Sequence, residues 1–86
     1  MFYTYILKSI KDGKMYTGYT KNLRERFKHH NSNLDGYTKG RGPFQLIYYE
    51  ACMNEYDARA REKYLKSGKG KRYVKSRLKR SLFRTG

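Results

Sequence analysis

The sequence predicts a small α+β domain in which a three-stranded, mainly antiparallel sheet is flanked by three helices. Short runs rich in aromatic and β-branched residues predict strands at residues 2–7, 14–19 and 44–50. Capping signals and helical periodicity predict helices at about 22–31, 54–67 and 70–83. A chain of 86 residues has room for one core, so we expect residues 1–86 to form a single domain.

The first two strands are expected to pair as an antiparallel hairpin. Between them, Asp12-Gly13 is a dipeptide that tolerates the positive φ values of tight turns. Phe44 to Glu50 is expected to add the third strand. The segment from Ser32 to Pro43 is polar and contains three glycines, which predicts a loop.

The first helix begins with a capping signal. Asn22 is followed three residues later by Glu25, so each side chain can bind an amide group at the start of the helix. Leu23 and Phe27 are four residues apart, which places both on one face. We expect that face to pack on the sheet and the helix to end near Asn31.

Two further helices are predicted after the third strand. Asn54 and Asp57 repeat the capping pattern, Tyr56, Ala60 and Tyr64 recur at helical spacing, and Gly68 offers a stop at the carboxyl end. The last helix is expected to dock on the core through a stripe of residues spaced four apart, namely Val74, Leu78 and Leu82. Residues 83–86 are expected to fray.

The charge is concentrated near the carboxyl end. Lysine and arginine number 21 against 7 acidic residues, a formal net charge of +14. Residues 59–86 hold 12 of the basic residues and a single acidic residue, Glu62, for a net charge of +11. This exceeds what solubility requires, and clustered cations bind phosphates with release of counterions. The sequence therefore favours a nucleic-acid partner over a merely solvated surface.

Several other classes of protein are excluded. Cys52 is the only cysteine, so the chain forms no internal disulfide and no zinc site of several thiolates. This fits a reducing, cytoplasmic location. No apolar run approaches the roughly 18 residues of a membrane span, and the start of the chain has no secretion signal. We expect no membrane association.

The order of motifs resembles the GIY-YIG endonuclease family, in particular its small standalone bacterial members and the nuclease domain of the excinuclease that incises DNA in nucleotide excision repair. Five segments carry the resemblance, and together they cover nearly the whole chain: Tyr3-Thr4-Tyr5-Ile6-Leu7, Tyr16-Thr17-Gly18, Asn22 to His30, Thr38 to Tyr48, and Ala58 to Lys63. The first signature lacks its glycine, with Tyr3 in that place, and residues 71–75 lack the late asparagine of some members.

The resemblance implies a set of catalytic residues. Tyr5 and Tyr16 stand at the two signature tyrosines, and one of them would activate or orient water, with Tyr5 favoured. Arg26 stands at the catalytic arginine and would hold the substrate phosphate. His30 lies one helical turn beyond it and would hold the phosphate as well or shuttle a proton. Glu62 stands at the metal-binding glutamate, which implies Mg²⁺ or Mn²⁺ as the cofactor.

The residue chemistry agrees with these roles. Phosphodiester hydrolysis needs a water nucleophile and positive charge on the phosphoryl oxygens. The guanidinium of Arg26 suits bidentate contact with phosphate, and one carboxylate at Glu62 suits a hard cation that keeps several waters. The plain alternative is that Glu62 forms a helical ion pair with Arg59 or Lys66.

The expected activity is metal-dependent cleavage of nucleic acid, with DNA as the expected substrate. We expect Tyr5 and Tyr16 to project from one face of the hairpin and one face of the sheet to form a shallow cationic active site. We expect nucleic-acid contacts from Tyr19, Lys21, Lys69, Lys71, Arg72 and Lys75, although Tyr19 is equally suited to packing. Two alternatives share the same charge: a binding protein without catalysis, and a nuclease that needs a protein partner to target it to its substrate.

Overall fold

The computed structural model describes residues 1–32 and 42–82 and confirms the predicted fold class. The predicted loop, apart from its two ends, and residues 83–86 lie outside this part. The strands are β1 (Phe2–Ser9), β2 (Met15–Thr20) and β3 (Phe44–Cys52). The helices are α1 (Leu23–Asn31), α2 (Glu55–Lys66), α3 (Gly68–Arg77) and a single-turn α4 (Lys79–Leu82).

The sheet is antiparallel with the strand order β2-β1-β3, so β1 is central. The predicted hairpin joins β1 to β2, and Gly13 has the positive φ of +75° that its turn requires. The Lys14 amide donates to the Asp12 carboxylate at 2.9 Å. Strand β3 pairs with β1 with an irregularity between Ile6 and Leu7.

Alternation along β1 divides the core between the two faces of the sheet. Tyr5 and Leu7 point to one face, where they pack with Phe44 and with Leu23 and Phe27 of α1. This confirms the predicted docking of α1. We call this side the α1 face.

The opposite face of the sheet is covered by α2 and α3. Ile6 packs there with Leu65 of α2 and Val74 of α3. The Thr4 hydroxyl donates to the Ala58 carbonyl at 2.7 Å, which ties α2 to the central strand. We call this side the α2 face.

Both predicted asparagine caps are present. The Asn22 side chain accepts from the Glu25 amide at 3.1 Å and donates to the Glu25 carboxylate at 3.2 Å. The Asn54 side chain accepts from the amides of Tyr56 and Asp57. The buried residues of α2 are Ala58 and Leu65, whereas the three residues that indicated the helix by their spacing are all exposed, namely Tyr56, Ala60 and Tyr64.

The carboxyl-terminal helices differ from the prediction in two ways. Gly68 does not end α2 but begins α3, because Ser67 closes α2 and its hydroxyl also accepts from the Gly70 amide. The predicted continuous helix is interrupted at Leu78, where α3 ends before α4 begins. Leu78 and Leu82 nevertheless pack on the core with Val74, as predicted.

Within the described residues, no helix is long and apolar enough to cross a membrane.

Candidate active site

The side chain of Tyr5 crosses from the central strand over β2 and reaches α1. Tyr5 pairs with Gly18 across the two strands, and a β-carbon at position 18 would overlap the hydroxyl and ring of Tyr5. The Tyr5 hydroxyl lies 2.8 Å from Nε2 of His30, a hydrogen bond whose direction depends on the histidine tautomer. The glycine of the Tyr-x-Gly motif is therefore the gap through which Tyr5 reaches His30.

The Tyr5 and His30 pair is enclosed. Tyr5 is 3% exposed and His30 is 8% exposed. The rings of both residues meet edge to face, and Phe44 contacts the His30 ring in the same manner. The structure thus brings two of the predicted site residues into direct contact, inside the α1 face.

Tyr16 lies nearer to solvent than Tyr5. It pairs with Leu7 and so shares the α1 face, as the sequence predicted for the two tyrosines. Its ring packs edge to face on Phe44 at 5.5 Å and is half-buried. Of the two signature tyrosines, Tyr16 is the one with the more accessible side chain.

Arg26 is exposed on α1 and lines an open cleft at the end of β2. The cleft has a volume of about 520 Å³, and Thr20, Lys21 and Arg59 also line it. Arg59 belongs to α2, so the helices of the two faces meet here, beside the edge strand. The predicted phosphate-binding arginine therefore lies on the wall of an open cleft that two further basic residues also line.

Glu62 lies on α2, half-buried beside the core-facing residue Leu65. Its carboxylate is 3.1 Å from Nζ of Lys66 and its side chain is 25% exposed. This is one of the ion pairs that the sequence offered as the plain alternative. Arg59, the other alternative partner, binds Glu55 instead at 2.9 Å.

The donor set around Glu62 is compatible with a magnesium-type ion. Among the described residues, no three His, Cys, Asp or Glu side chains form a cluster that could hold a metal. A hard cation that keeps water ligands and takes further oxygens from phosphate needs only one or two carboxylates. Glu62 fits that sparse requirement.

A polar network that the sequence did not predict fixes α2 next to Glu62. Nε of Arg61 donates to both carboxylate oxygens of Glu50 at 3.0 Å. The Arg61 guanidinium also lies over the rings of Tyr64 and Tyr73, at 5.0 and 4.8 Å from their centroids. Burial opposes the charge of Arg61, yet hydrogen bonding and attraction to Glu50 raise its pKa.

A second tyrosine completes this network. The Tyr48 hydroxyl donates to Glu50 at 2.9 Å and lies 3.5 Å from the Tyr73 hydroxyl. Burial, reinforced by these two hydrogen bonds, raises the pKa of Tyr48 above its ordinary value. The network thus ties together β3, α2 and α3. The contacts that join the three elements link residues 11 to 25 positions apart in the chain, and sequence analysis gave only their helix and strand assignments.

The predicted nucleic-acid-binding residues fall in two places. Lys21 lies at the cleft, and Tyr19 lies there with its ring parallel to that of Phe2 and under the guanidinium of Arg59. The Tyr19 ring thus packs against other side chains of the protein, and its stacking on a nucleic-acid base stays a prediction. The remaining four are exposed on α3, namely Lys69, Lys71, Arg72 and Lys75.

The expectation that one face of the sheet carries the whole site is wrong. Tyr5, Tyr16 and His30 belong to the α1 face, whereas Glu62 is on the helix that covers the α2 face. The reason is strand alternation together with the packing of α2, which sequence spacing does not determine. Residues of the helices that carry Arg26 and Glu62 line the same cleft beside β2.

The fold and these residues define a class. An antiparallel sheet with a Tyr-x-Gly edge strand, an arginine-bearing helix and a glutamate-bearing helix is the arrangement that the sequence resemblance implied. The family model of the GIY-YIG catalytic domain matches residues 1–76, and the chain belongs to that family.

The proteins to which this chain is similar include several UPF0213 proteins. One from Clostridium perfringens is 49% identical over 67 residues, which is 77% of this chain and 71% of that protein. One from Pediococcus acidilactici is 42% identical over 77 residues, which is 86% of this chain and 78% of that protein. The UPF0213 protein of Bacillus halodurans, whose solution NMR structure is known, is 40% identical in sequence to this chain. Its structure matches with a TM-score of 0.55, over 88% of this chain and 84% of the Bacillus halodurans chain.

Proposed function

We propose that this protein is a divalent-metal-dependent endonuclease that hydrolyses phosphodiester bonds, with DNA as its substrate. Membership of the GIY-YIG family supports nuclease activity in general. The observation that carries the proposal for this chain is the cleft beside β2. The exposed Arg26 lines it together with Lys21 and with residues of α2. An open cleft with three basic and two acidic side chains, between the helices that carry Arg26 and Glu62, suits a nucleic-acid backbone.

Arg26 would bind the scissile phosphate. Its planar, permanently charged guanidinium can donate two parallel hydrogen bonds to phosphoryl oxygens. It is exposed on α1 and lies on the cleft wall, so a backbone phosphate can reach it without rearrangement of the core. Charge stabilisation of this kind strengthens as negative charge develops on the phosphoryl oxygens.

The two tyrosines would have different roles. Tyr16 is half-buried and accessible, so it is suited to orient the attacking water. Tyr5 is enclosed and bonded to His30, so it is suited to hold that imidazole in place and to exchange a proton with it. The preference for Tyr5 as the water-activating group is therefore replaced in this proposal by Tyr16.

Glu62 would hold Mg²⁺ or Mn²⁺. When bound, the cation supplies positive charge that stabilises the negative charge developing on the phosphate. Lys66 would have to release the Glu62 carboxylate. Lys66 is exposed and the Glu62 side chain is partly accessible, and ion pairs near the surface contribute only about 0–1 kcal/mol, so the release costs little.

A nucleic-acid-binding protein without catalysis is the second candidate. The Glu62–Lys66 ion pair favours it, because in that role the carboxylate needs no metal. It predicts the same electrostatic binding with no cleavage.

The test is incubation of the purified chain with single-stranded, duplex and branched DNA, and with RNA, in Mg²⁺, Mn²⁺ or a chelator. We expect cleavage of DNA that requires the metal and is lost with Arg26→Ala. Arg24→Ala is the matched control, since Arg24 is also exposed on α1 but lies away from this cleft. Binding without cleavage of any substrate would support the second candidate instead.

A further inference from the structure

Arg59 lies across the cleft from Arg26 and was not predicted as a functional residue. Arg26 projects from α1 and Arg59 from α2, and both line the same open space. Arg59 follows the cap of α2 and precedes Glu62 by three residues, which places it about one turn away on the same side of the helix. A strand of nucleic acid in the cleft would therefore have both arginines within the space that it occupies.

The guanidinium of Arg59 is held in place on two sides. Its Cζ lies 4.8 Å from the centroid of the Tyr19 ring, and Nη2 is 2.9 Å from the Glu55 carboxylate. Tyr19 is itself packed in parallel on Phe2. Stacking on a fixed ring limits the motion of a guanidinium while leaving its edge free to donate hydrogen bonds. The Arg59 side chain is 58% exposed, so that edge is accessible from the cleft.

A phosphate bound by Arg59 would displace the carboxylate of Glu55, which is the ion-pair partner of Arg59. The cleft contains three cations, Lys21, Arg26 and Arg59, and two carboxylates. Glu25 is engaged at the cap of α1, where it binds Asn22. Glu55 is the carboxylate that neutralises Arg59, and a phosphate oxygen bound to the same guanidinium would compete with it directly.

We propose that Arg59 is a second phosphate-binding residue, which contacts the nucleic-acid backbone next to the phosphate at Arg26, and that Glu55 is its built-in competitor. The inference rests on the proposed nuclease function for the identity of the ligand, a nucleic-acid backbone. Arg59 thereby binds the substrate. Glu55 pairs with the Arg59 guanidinium in the free protein and so lowers the affinity of Arg59 for the phosphates of the substrate.

The experiment compares Glu55→Gln with Asp57→Asn. Both substitutions remove one negative charge from the first turn of α2, and Asp57 is exposed and outside the cleft. Affinity for a fluorescent oligonucleotide is measured by anisotropy in chelator, so that no cleavage occurs. We expect Glu55→Gln to bind about two- to fivefold more tightly than Asp57→Asn, the range for loss of an exposed ion pair.

The gain in oligonucleotide affinity from Glu55→Gln should depend on Arg59. Arg59→Gln should lower the slope of log affinity against log salt by about 1, the loss of one phosphate contact. Adding Glu55→Gln to Arg59→Gln should then bring no more gain than Asp57→Asn does. Arg59→Lys should retain the salt slope but bind less tightly, and the thermal midpoint of each variant checks its folding.

Equal affinities of Glu55→Gln and Asp57→Asn would overturn the competitor role. An unchanged salt slope in Arg59→Gln would overturn the phosphate contact. These results are separate from the failure of the proposed function: a wild-type protein that binds the oligonucleotide but never cleaves it in Mg²⁺ or Mn²⁺ removes the nuclease, while the binding comparison still decides the role of Arg59.

Discussion

At the scale of single residues, the position of Tyr5 depends on a residue that has no side chain. Gly18 leaves the space that the Tyr5 ring fills on its way to His30. The sequence showed Gly18 only as part of a motif. The contact itself depends on which residues of β1 and β2 stand opposite each other, and that register places Tyr5 against Gly18.

Gly18→Ala should therefore break the bond between Tyr5 and His30. The added methyl overlaps the Tyr5 hydroxyl and ring, which must move. We expect the free energy of unfolding to fall by about 1–3 kcal/mol, the usual cost of overpacking, as measured by urea denaturation. Tyr5→Phe removes the same hydrogen bond, so the NMR resonances of the His30 imidazole should shift in the same direction in both variants. Wild-type stability and wild-type His30 resonances in Gly18→Ala would show that Tyr5 does not need the gap.

The Tyr48 hydroxyl predicts a pH dependence of stability. Burial and its hydrogen bonds raise the pKa of Tyr48 in the folded state, so the hydroxyl stays neutral at a pH where it ionises in the unfolded chain. Its contribution to stability is complete below the unfolded pKa of about 10 and is lost as the pH rises above it. Tyr48→Phe should lose less stability than the wild type as the pH rises from about 10 to about 12 in urea titrations. Parallel losses in the two proteins would contradict this account.

At the scale of elements, local signals were predictable and contacts between elements were not. The caps at Asn22 and Asn54 involve residues two or three apart, so the pattern in the sequence was sufficient. The junction of α2 and α3 was not predicted, because Gly70 lies against the backbone of Tyr64 and Leu65. A glycine that permits such close approach looks, in the sequence, like a flexible linker residue.

Two glycines of α3 offer a matched pair of substitutions. A β-carbon at Gly70 would overlap the Tyr64 carbonyl, whereas one at Gly68 meets nothing within 4 Å. We expect Gly70→Ala to lower the free energy of unfolding by about 1–3 kcal/mol or more, because α3 must move away from α2. Gly68→Ala should be neutral or stabilising, since alanine has the higher helix propensity. Thermal denaturation of both variants makes the comparison, and equal midpoints would contradict the close approach of the two helices.

At the scale of the whole molecule, the strand order decides how the candidate site is assembled. The sequence predicted the sheet, the helices and the family, but it placed all the site residues on one face. In the structure, α1 lies on one face of the sheet and α2 on the other, and residues of both helices line one cleft beside the edge strand β2. The exposed basic residues of α3 extend the positive surface on the α2 side.

The central claim is that Glu62 acts through a metal in phosphodiester cleavage, and Glu62→Gln tests it most directly. Lys66→Gln is the control, because it removes the same ion pair and leaves the carboxylate. Cleavage of labelled DNA is measured in Mg²⁺, and binding is measured in chelator. We predict that Glu62→Gln loses about 10²- to 10³-fold in cleavage rate, as for loss of one charge-stabilising group, while its DNA binding persists and Lys66→Gln stays active. Full metal-dependent cleavage by Glu62→Gln would contradict the account.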